Sequence, residues 1–201
     1  MKIVEQSAEL IDDVDGAAIL KKIERCGRVC YQSQAKEDSA ENFVRMLIKR
    51  GHESVLEHES LTFRIVTSRG IMSELTRHRI ASFSVESTRF VKYNELTVVK
   101  PPLNPTDAIN HVFLDSYLKY CEKYYCDFSR APSGYPPEIA RDVLPQCTKS
   151  ELYMTANLRE LRHILKLRLS KAAHPAMREL AGMIYDIIKE KIPVIVEDIS
   201  K

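Results

Sequence analysis

The sequence RHRIASFSVESTR, residues 77–89, joins two predicted elements and concentrates cations and hydroxyl groups. Before it, residues 70–76 (GIMSELT) are typical of a short helix capped by Ser68. After it, residues 88–93 (TRFVKY) alternate between polar and apolar side chains, which predicts a strand. We expect that strand to pair with another over residues 60–67. The stretch would then lie at a junction between elements, where binding sites commonly form.

The chemistry of this stretch suits a polyanion. Arg77, Arg79 and Arg89 carry planar guanidinium groups that bind phosphate oxygens in pairs, and the serine and threonine hydroxyls supply further donors. A run of charges is more often a solvated basic surface. Here apolar side chains are interleaved with polar ones between Ile80 and Val85, which favours a half-buried segment and therefore a binding site.

Length and composition indicate a globular protein with a local anion site. With 201 residues and 44% hydrophobic content, the chain can bury a core, and we predict a single domain over residues 1–201. The formal net charge is only +2, which argues against a polycation built for nucleic acid. The sequence shows no apolar run of membrane-spanning length and no signal peptide, which predicts a cytoplasmic protein without a membrane partner.

The cysteine and histidine patterns predict no metal site. The five cysteines form no CxxC pair, and their odd number argues against a disulfide framework. His52 and His58 lie six residues apart, on different sides of a helix, so they do not have the spacing of paired zinc ligands.

Two helices are predicted in the N-terminal part. Residues 17–30 have apolar side chains at helical spacing, and we expect Cys26 and Cys30 to face the core. Ser39 is expected to cap the second helix, which stops at Gly51.

The middle of the chain alternates between strand and helix signals. Residues 61–67 alternate as a strand, and residues 107–129 are typical of a long helix. Four aromatic side chains recur along that helix and are expected to form core or subunit contacts: Tyr117, Tyr120, Tyr124 and Phe128. Pro136 and Pro137 are expected to open a further helix that contains Arg141.

Residues 157–172 form a predicted helix with one unusual feature. Its apolar stripe consists of Leu158, Leu161, Ile164, Leu165, Leu169 and Ala172. Arg168 falls inside this stripe, and Asn157 lies on the same line. A core-facing arginine needs an anion, because an unpaired buried charge costs several kcal/mol or roughly that order. That anion is either a carboxylate such as Glu179 or a ligand. The opposite flank carries Arg159, Arg162, His163 and Lys166, which suits a second ligand.

Three motifs in order resemble one known family. The sequence Arg77-His78-Arg79, followed by seven residues and Ser87, is similar to the signature of the flavin-dependent thymidylate synthases. Residues 51–58 (GHESVLEH) and 157–168 (NLRELRHILKLR) match two further stretches of that family. The resemblance therefore covers most of the chain.

The resemblance implies an α+β fold, with mixed helices around a small antiparallel sheet, and an enzyme that converts dUMP into dTMP. It implies 5,10-methylenetetrahydrofolate as one-carbon donor, NADPH as reductant, FAD as cofactor, and a homotetramer whose active sites are assembled between subunits. The implied FAD contacts are Ser54, Arg77, His78, Arg79, Asn157, Arg159 and His163. The implied dUMP contacts are Glu74, Arg77, Ser87, Arg89, Arg141 and Arg168.

Arg168 is the candidate catalytic residue. Its cation can stabilise uracil deprotonated at N3 and so make C5 a better nucleophile, without a cysteine. Two alternatives remain open from the sequence. One is a relict that binds nucleotide and flavin without turnover, and the other is a nucleic-acid-binding module using the same arginines, which the near-neutral charge disfavours.

Overall fold

The computed structural model describes residues 1–104, 106–130, 132 and 134–201. The chain contains both helices and strands, in a mixed order that confirms the predicted α+β class. The strands are β1 (Lys2–Val4), β2 (Ser7–Leu10), β3 (Ser60–Ser68), β4 (Ser82–Val85), β5 (Thr97–Val99) and β6 (Lys149–Asn157). The α-helices are α1 (Gly16–Tyr31), α2 (Ala40–Lys49), α3 (Arg69–Leu75), α4 (Ala108–Arg130), α5 (Pro137–Ala140), α6 (Leu158–Arg168) and α7 (Pro175–Lys191). Short 3-10 helices span Glu53–His58, Arg141–Val143 and Pro193–Ile195.

The strands form two sheets. In the smaller one, β1 pairs with β5 in parallel, with Lys2 opposite Thr97. The larger one has four strands in the order β2-β3-β6-β4. Its strand β3 buries every second side chain, including Leu61 and Phe63, as the sequence predicts. Two small sheets among helices are thus the observed architecture.

The chain forms two compact units. The first unit comprises Met1–Ser7, Ile65–Arg77 and Ser84–Leu152. The second unit comprises Ala8–Arg64, His78–Phe83 and Tyr153–Lys201. A single domain over residues 1–201 stays a prediction. No helix in the described ranges has both the length and the apolar character needed to cross a bilayer.

Helix α4 organises the first unit. Its inner face buries Leu118 and Cys121 against Leu96 and Val98 of the β5 region. The predicted aromatic stripe lies on a different face and is exposed, with exposed fractions between 39% and 62%: Tyr117, Tyr120, Tyr124 and Phe128. Within this chain, that stripe is therefore not part of the core.

Helices α1, α2, α6 and α7 surround the core of the second unit. Helix α1 approaches α2 closely at Gly27, where a Cβ atom would lie 2.7 Å from Phe43 Cε1. This face continues from Ile23 to Gly27, so Cys26 is half-buried and Cys30 is exposed. The prediction that Cys30 faces the core is wrong, because the α1–α2 contact is centred on Gly27 instead.

Two predictions about local structure need correction. Ser39 stands at the N-cap position of α2 but makes no side-chain cap bond, since its hydroxyl donates to Glu24 at 2.6 Å. The strand predicted over residues 88–93 is absent. The Ser87 carbonyl accepts from the amides of Phe90 and Val91, which closes a turn. A strand forms earlier in the chain instead: β4 lies within residues 77–89, the predicted junction between elements, and pairs with β6.

Candidate functional site

An arginine cluster forms in the first unit around Thr88, which is almost fully buried. Arg69 opens α3, and its Nη1 donates to Thr88 Oγ1 at 3.2 Å. Arg141 follows α5, and its Nη1 donates to the same hydroxyl at 3.4 Å. Neither guanidinium forms an ion pair with a carboxylate among the described residues. Two cations held near one neutral hydroxyl repel each other, so this arginine cluster of Arg69, Thr88 and Arg141 favours binding of an anion.

The other predicted substrate contacts of the first unit border this cluster in sequence. Ser87 Oγ accepts from the amide of Arg89 at 3.2 Å, which holds the turn before the arginine. Arg89 Nε donates to Glu138 at 3.0 Å, and both side chains are exposed. Such a pair contributes about 0–1 kcal/mol, so a ligand can displace it at little cost.

Helix α3 places the remaining two predicted contacts of this unit. Ser68 caps α3 by accepting from Ile71 N, as the sequence predicts. Glu74 is half-buried near the end of that helix, and the amide of Arg77 donates to its carbonyl at 3.3 Å. The Arg77 side chain is exposed.

A second cluster forms in the second unit around the buried ring of His78. Arg168 Nε donates to His78 Nε2 at 3.0 Å. On the other side of the ring, His78 Nδ1 lies 3.4 Å from Glu160 Oε1. The His163 ring contacts His78 edge to face, with 5.8 Å between centroids. We call His78, Glu160, His163 and Arg168 the histidine cluster.

The electrostatics of this cluster keep His78 neutral. Burial first, and then the charges of Arg168 and His163, lower the pKa of His78 to about 4. Burial also raises the pKa of the Glu160 carboxyl group, against the attraction of His163. The His78–Glu160 distance would suit an ion pair, but a neutral imidazole makes it a contact between a ring N–H dipole and a carboxyl oxygen. The Arg168 guanidinium also occupies the position of a second ring proton at Nε2, which acts in the same direction as burial.

The predicted cofactor contacts of the second unit, apart from His78, lie mostly on its surface. Arg79, Ser54, His163 and Arg159 are exposed, and Arg159 Nη1 donates to Glu57. Asn157 caps α6, because its Oδ1 accepts from the Glu160 amide at 2.9 Å. Exposed guanidinium and hydroxyl donors have the chemistry that a diphosphate group requires. No three His, Cys, Asp or Glu side chains are grouped as metal ligands in the part of the chain described.

Helix α6 departs from the predicted arrangement at three positions. Arg168 is its last residue and is half-buried, so it lies at the end of the apolar stripe. Ala172 lies beyond the helix and is exposed. Arg162, predicted on the basic flank, is 1% exposed and binds Glu53, Asp198 and the Ile195 carbonyl. It is a structural cation and is not on the surface that Arg159 and His163 share.

Sequence reasoning did not select two residues of these clusters. Glu160 lies four residues before Ile164 of the apolar stripe, and this helical spacing is a sequence signal that places Glu160 beside the core. Arg69 gave no comparable signal, since its approach to Thr88 depends on the turn that replaced the predicted strand.

Comparisons with known proteins agree with the motifs. Residues 9–194 match the profile of a family described as thymidylate synthase complementing protein. The chain is 38% identical over 191 residues to a probable flavin-dependent thymidylate synthase of Mycobacterium phage D29, covering 88% of this chain and 81% of the relative.

Two further relatives have similar coverage. A probable flavin-dependent thymidylate synthase of Mycobacterium phage L5 is 35% identical over 192 residues, covering 88% of this chain and 79% of the relative. A flavin-dependent thymidylate synthase of Mycobacteroides abscessus is 36% identical over 187 residues, covering 84% and 74%.

Proposed function

The chain belongs to the flavin-dependent thymidylate synthase family, and we propose that it converts dUMP into dTMP with 5,10-methylenetetrahydrofolate as one-carbon donor. NADPH is the proposed reductant, acting through FAD. The thymidylate synthase activity and the use of a flavin follow from family membership. The identities of the nucleotide, folate, reductant and flavin belong to the proposal.

The arginine cluster is the observation that carries the proposal for the substrate. Two guanidinium groups converge on Thr88 without a carboxylate counter-ion among the described residues. The phosphate of dUMP supplies that missing negative charge, and each arginine offers paired donors to its oxygens. Arg89, whose partner Glu138 is exposed, is a third proposed phosphate contact.

Arg168 is the proposed contact to the uracil ring and the proposed catalytic residue. Its guanidinium is half-buried at the end of α6 and donates to neutral His78. A cation placed at the ring edge stabilises the negative charge of uracil deprotonated at N3. That charge raises the electron density at C5, the carbon that accepts the one-carbon unit.

The surface donors of the second unit fit FAD. Arg79, Arg159, Ser54 and His163 are exposed and offer hydrogen bonds to phosphate and polar ring atoms. When bound, FAD supplies the redox chemistry that passes reducing equivalents from NADPH to the transferred carbon. The role of this chain's residues is to bind and orient. Arg159 must exchange its exposed Glu57 partner for the cofactor.

The proposal includes a homotetramer with active sites assembled between subunits. The exposed stripe on α4 supports it, because aromatic side chains are enriched where subunits meet. Ile109 and Phe113 extend the stripe at helical spacing and are more than 60% exposed. A cytoplasmic location stays a sequence-based prediction.

The direct test is product formation by the purified, flavin-loaded protein. We expect NADPH oxidation that depends on FAD, dTMP as product, and release of tritium from C5-labelled dUMP when 5,10-methylenetetrahydrofolate is present. A flavoprotein that oxidises NADPH but never forms dTMP would favour the relict. A colourless protein that binds oligonucleotides would favour the nucleic-acid module.

Loss of either cluster arginine is expected to weaken binding of dUMP. Arg69→Ala and Arg141→Ala each remove a charged hydrogen bond worth about 1.5–3 kcal/mol, which corresponds to a roughly 10- to 100-fold higher Kd. Titration calorimetry measures this effect. Deoxyuridine, which lacks the phosphate, should bind the variants and the wild type equally. Lys119→Ala, on the exposed surface of α4, is the matched control. If the variants lost the same affinity for dUMP and for deoxyuridine, the two arginines would not bind the phosphate.

A further inference from the structure

The carboxyl group of Glu160 has no role in the proposed function, yet it is buried within the histidine cluster. Its side chain is only 7% exposed, and its Oε1 lies 3.4 Å from His78 Nδ1. Glu160 belongs to the first turn of α6, whose cap residue Asn157 binds the Glu160 amide. The cap fixes the backbone that carries the carboxyl group, and burial restricts its other orientations.

The hydrogen bond from Arg168 decides which nitrogen of His78 carries the proton. A guanidinium group can only donate, so His78 Nε2, which accepts from Arg168 Nε at 3.0 Å, is unprotonated. The proton of the neutral ring therefore lies on Nδ1, the nitrogen that faces Glu160. The pKa of His78, lowered to about 4, is consistent with one ring proton at neutral pH.

We infer that Glu160 and His78 are positioning residues for Arg168. Glu160 holds the imidazole with its proton on Nδ1, and the unprotonated Nε2 then fixes the direction of the Arg168 Nε–H bond. Because this N–H lies in the guanidinium plane, the bond fixes one direction within the plane that Arg168 presents to a flat ring. The inference rests on the proposed contact between Arg168 and uracil, and it adds the residues that orient that contact.

Two substitutions at one position separate positioning from simple burial. Glu160→Gln keeps an oxygen that can face His78 Nδ1, whereas Glu160→Leu removes it at similar volume. Glu24→Leu is the matched control, because Glu24 is also buried in the second unit but binds Arg28 and Ser39. Glu24→Leu removes a buried carboxylate, as Glu160→Leu does, but leaves the histidine cluster unchanged.

Steady-state kinetics provide the first readout. Misalignment of a catalytic group by about 1 Å costs about 100-fold in rate, so kcat for dTMP formation should fall at least about ten-fold in Glu160→Leu. The KM for dUMP should change much less, since the phosphate contacts are intact. Glu160→Gln should recover most of kcat, and Glu24→Leu should lower Tm while kcat stays near that of the wild type. Equal kcat in both Glu160 variants, or the same loss in Glu24→Leu, would overturn the inference.

A second readout uses the protein without dUMP and does not depend on turnover. The Arg168 Nε–H signal, identified by its loss in Arg168→Lys, should exchange slowly with solvent in the wild type and in Glu160→Gln. In Glu160→Leu we expect exchange at least about ten-fold faster, because the His78 acceptor is no longer held. If the wild type forms no dTMP, the proposed function fails, while this exchange difference still decides the positioning. An unchanged exchange rate of the Arg168 Nε–H in Glu160→Leu would contradict the positioning role of Glu160.

Discussion

Replacing Arg168 with alanine is expected to lower the rate of dTMP formation by about 10²–10³-fold, the loss typical of removing one preorganised charge donor. The substitution removes the proposed cation at the uracil ring. FAD should remain bound, since the exposed donors Arg159 and Ser54 are untouched. Arg168→Lys keeps the charge but not the planar fork, so we expect partial dUMP binding and a poor rate. Turnover assays and flavin absorbance measure the two effects separately.

Thermal melts with and without dUMP distinguish this role from a structural one. Arg168 is half-buried, and its charged hydrogen bond to His78 alone contributes about 1–3 kcal/mol, so Arg168→Ala should also lower the stability of the ligand-free protein. The wild type should gain stability on adding dUMP, because a ligand that binds only the native state raises Tm. Arg168→Ala should show little gain. Equal dUMP-induced shifts in both proteins would show that Arg168 does not bind the nucleotide.

The elements that sequence predicts well are those with a strong local pattern. The periodic helix α1, the alternating strand β3 and the Ser68 cap all depend on residues a few positions apart. The turn after Ser87 was missed because TRFVKY has a strand-like alternation. The Ser87 hydroxyl accepts from the Arg89 amide and the Ser87 carbonyl accepts from the amides of Phe90 and Val91. These turn bonds compete with strand pairing, and the sequence alone does not show which of the two forms.

The site was predictable where it depends on one helix and unpredictable where it joins distant segments. The spacing of α6 correctly placed Leu158 and Leu161 in the core and Asn157 at its start. The same spacing also puts Arg162 on the buried face, four residues after Leu158, although its charge favours an exposed position. By contrast, the contact of Arg168 with His78 spans 90 residues and has no local signature.

The second large effect is expected for Arg162, the buried cation that sequence placed on the surface. Its guanidinium donates to Asp198 at 2.7 and 2.8 Å and to Glu53 at 3.0 Å. Arg162→Met should lower the free energy of unfolding by about 3 kcal/mol, the lower end of the usual loss, because Asp198 is 41% exposed and regains water. Urea denaturation measures the change. Arg45→Met, whose ion pairs with Glu41 and Glu197 are exposed, should leave the free energy of unfolding almost unchanged.

The Arg162 network also predicts how stability depends on pH. Arg162 first lowers the pKa of Asp198, against the effect of burial. For Glu53, burial raises the pKa, but the cations of Arg162 and Lys166 outweigh it and the net pKa is lowered. A carboxylate with a lowered folded-state pKa contributes stability that is complete above its ordinary pKa of about 4 and is lost as pH falls through the folded-state value. The wild type should therefore lose more stability than Arg162→Met between about pH 5 and pH 3. In the variant, Asp198 and Glu53 no longer pair with Arg162, so protonating them changes the free energy of unfolding less. Parallel urea curves for the two proteins across that range would contradict the network's role and leave Arg162 as a packing residue alone.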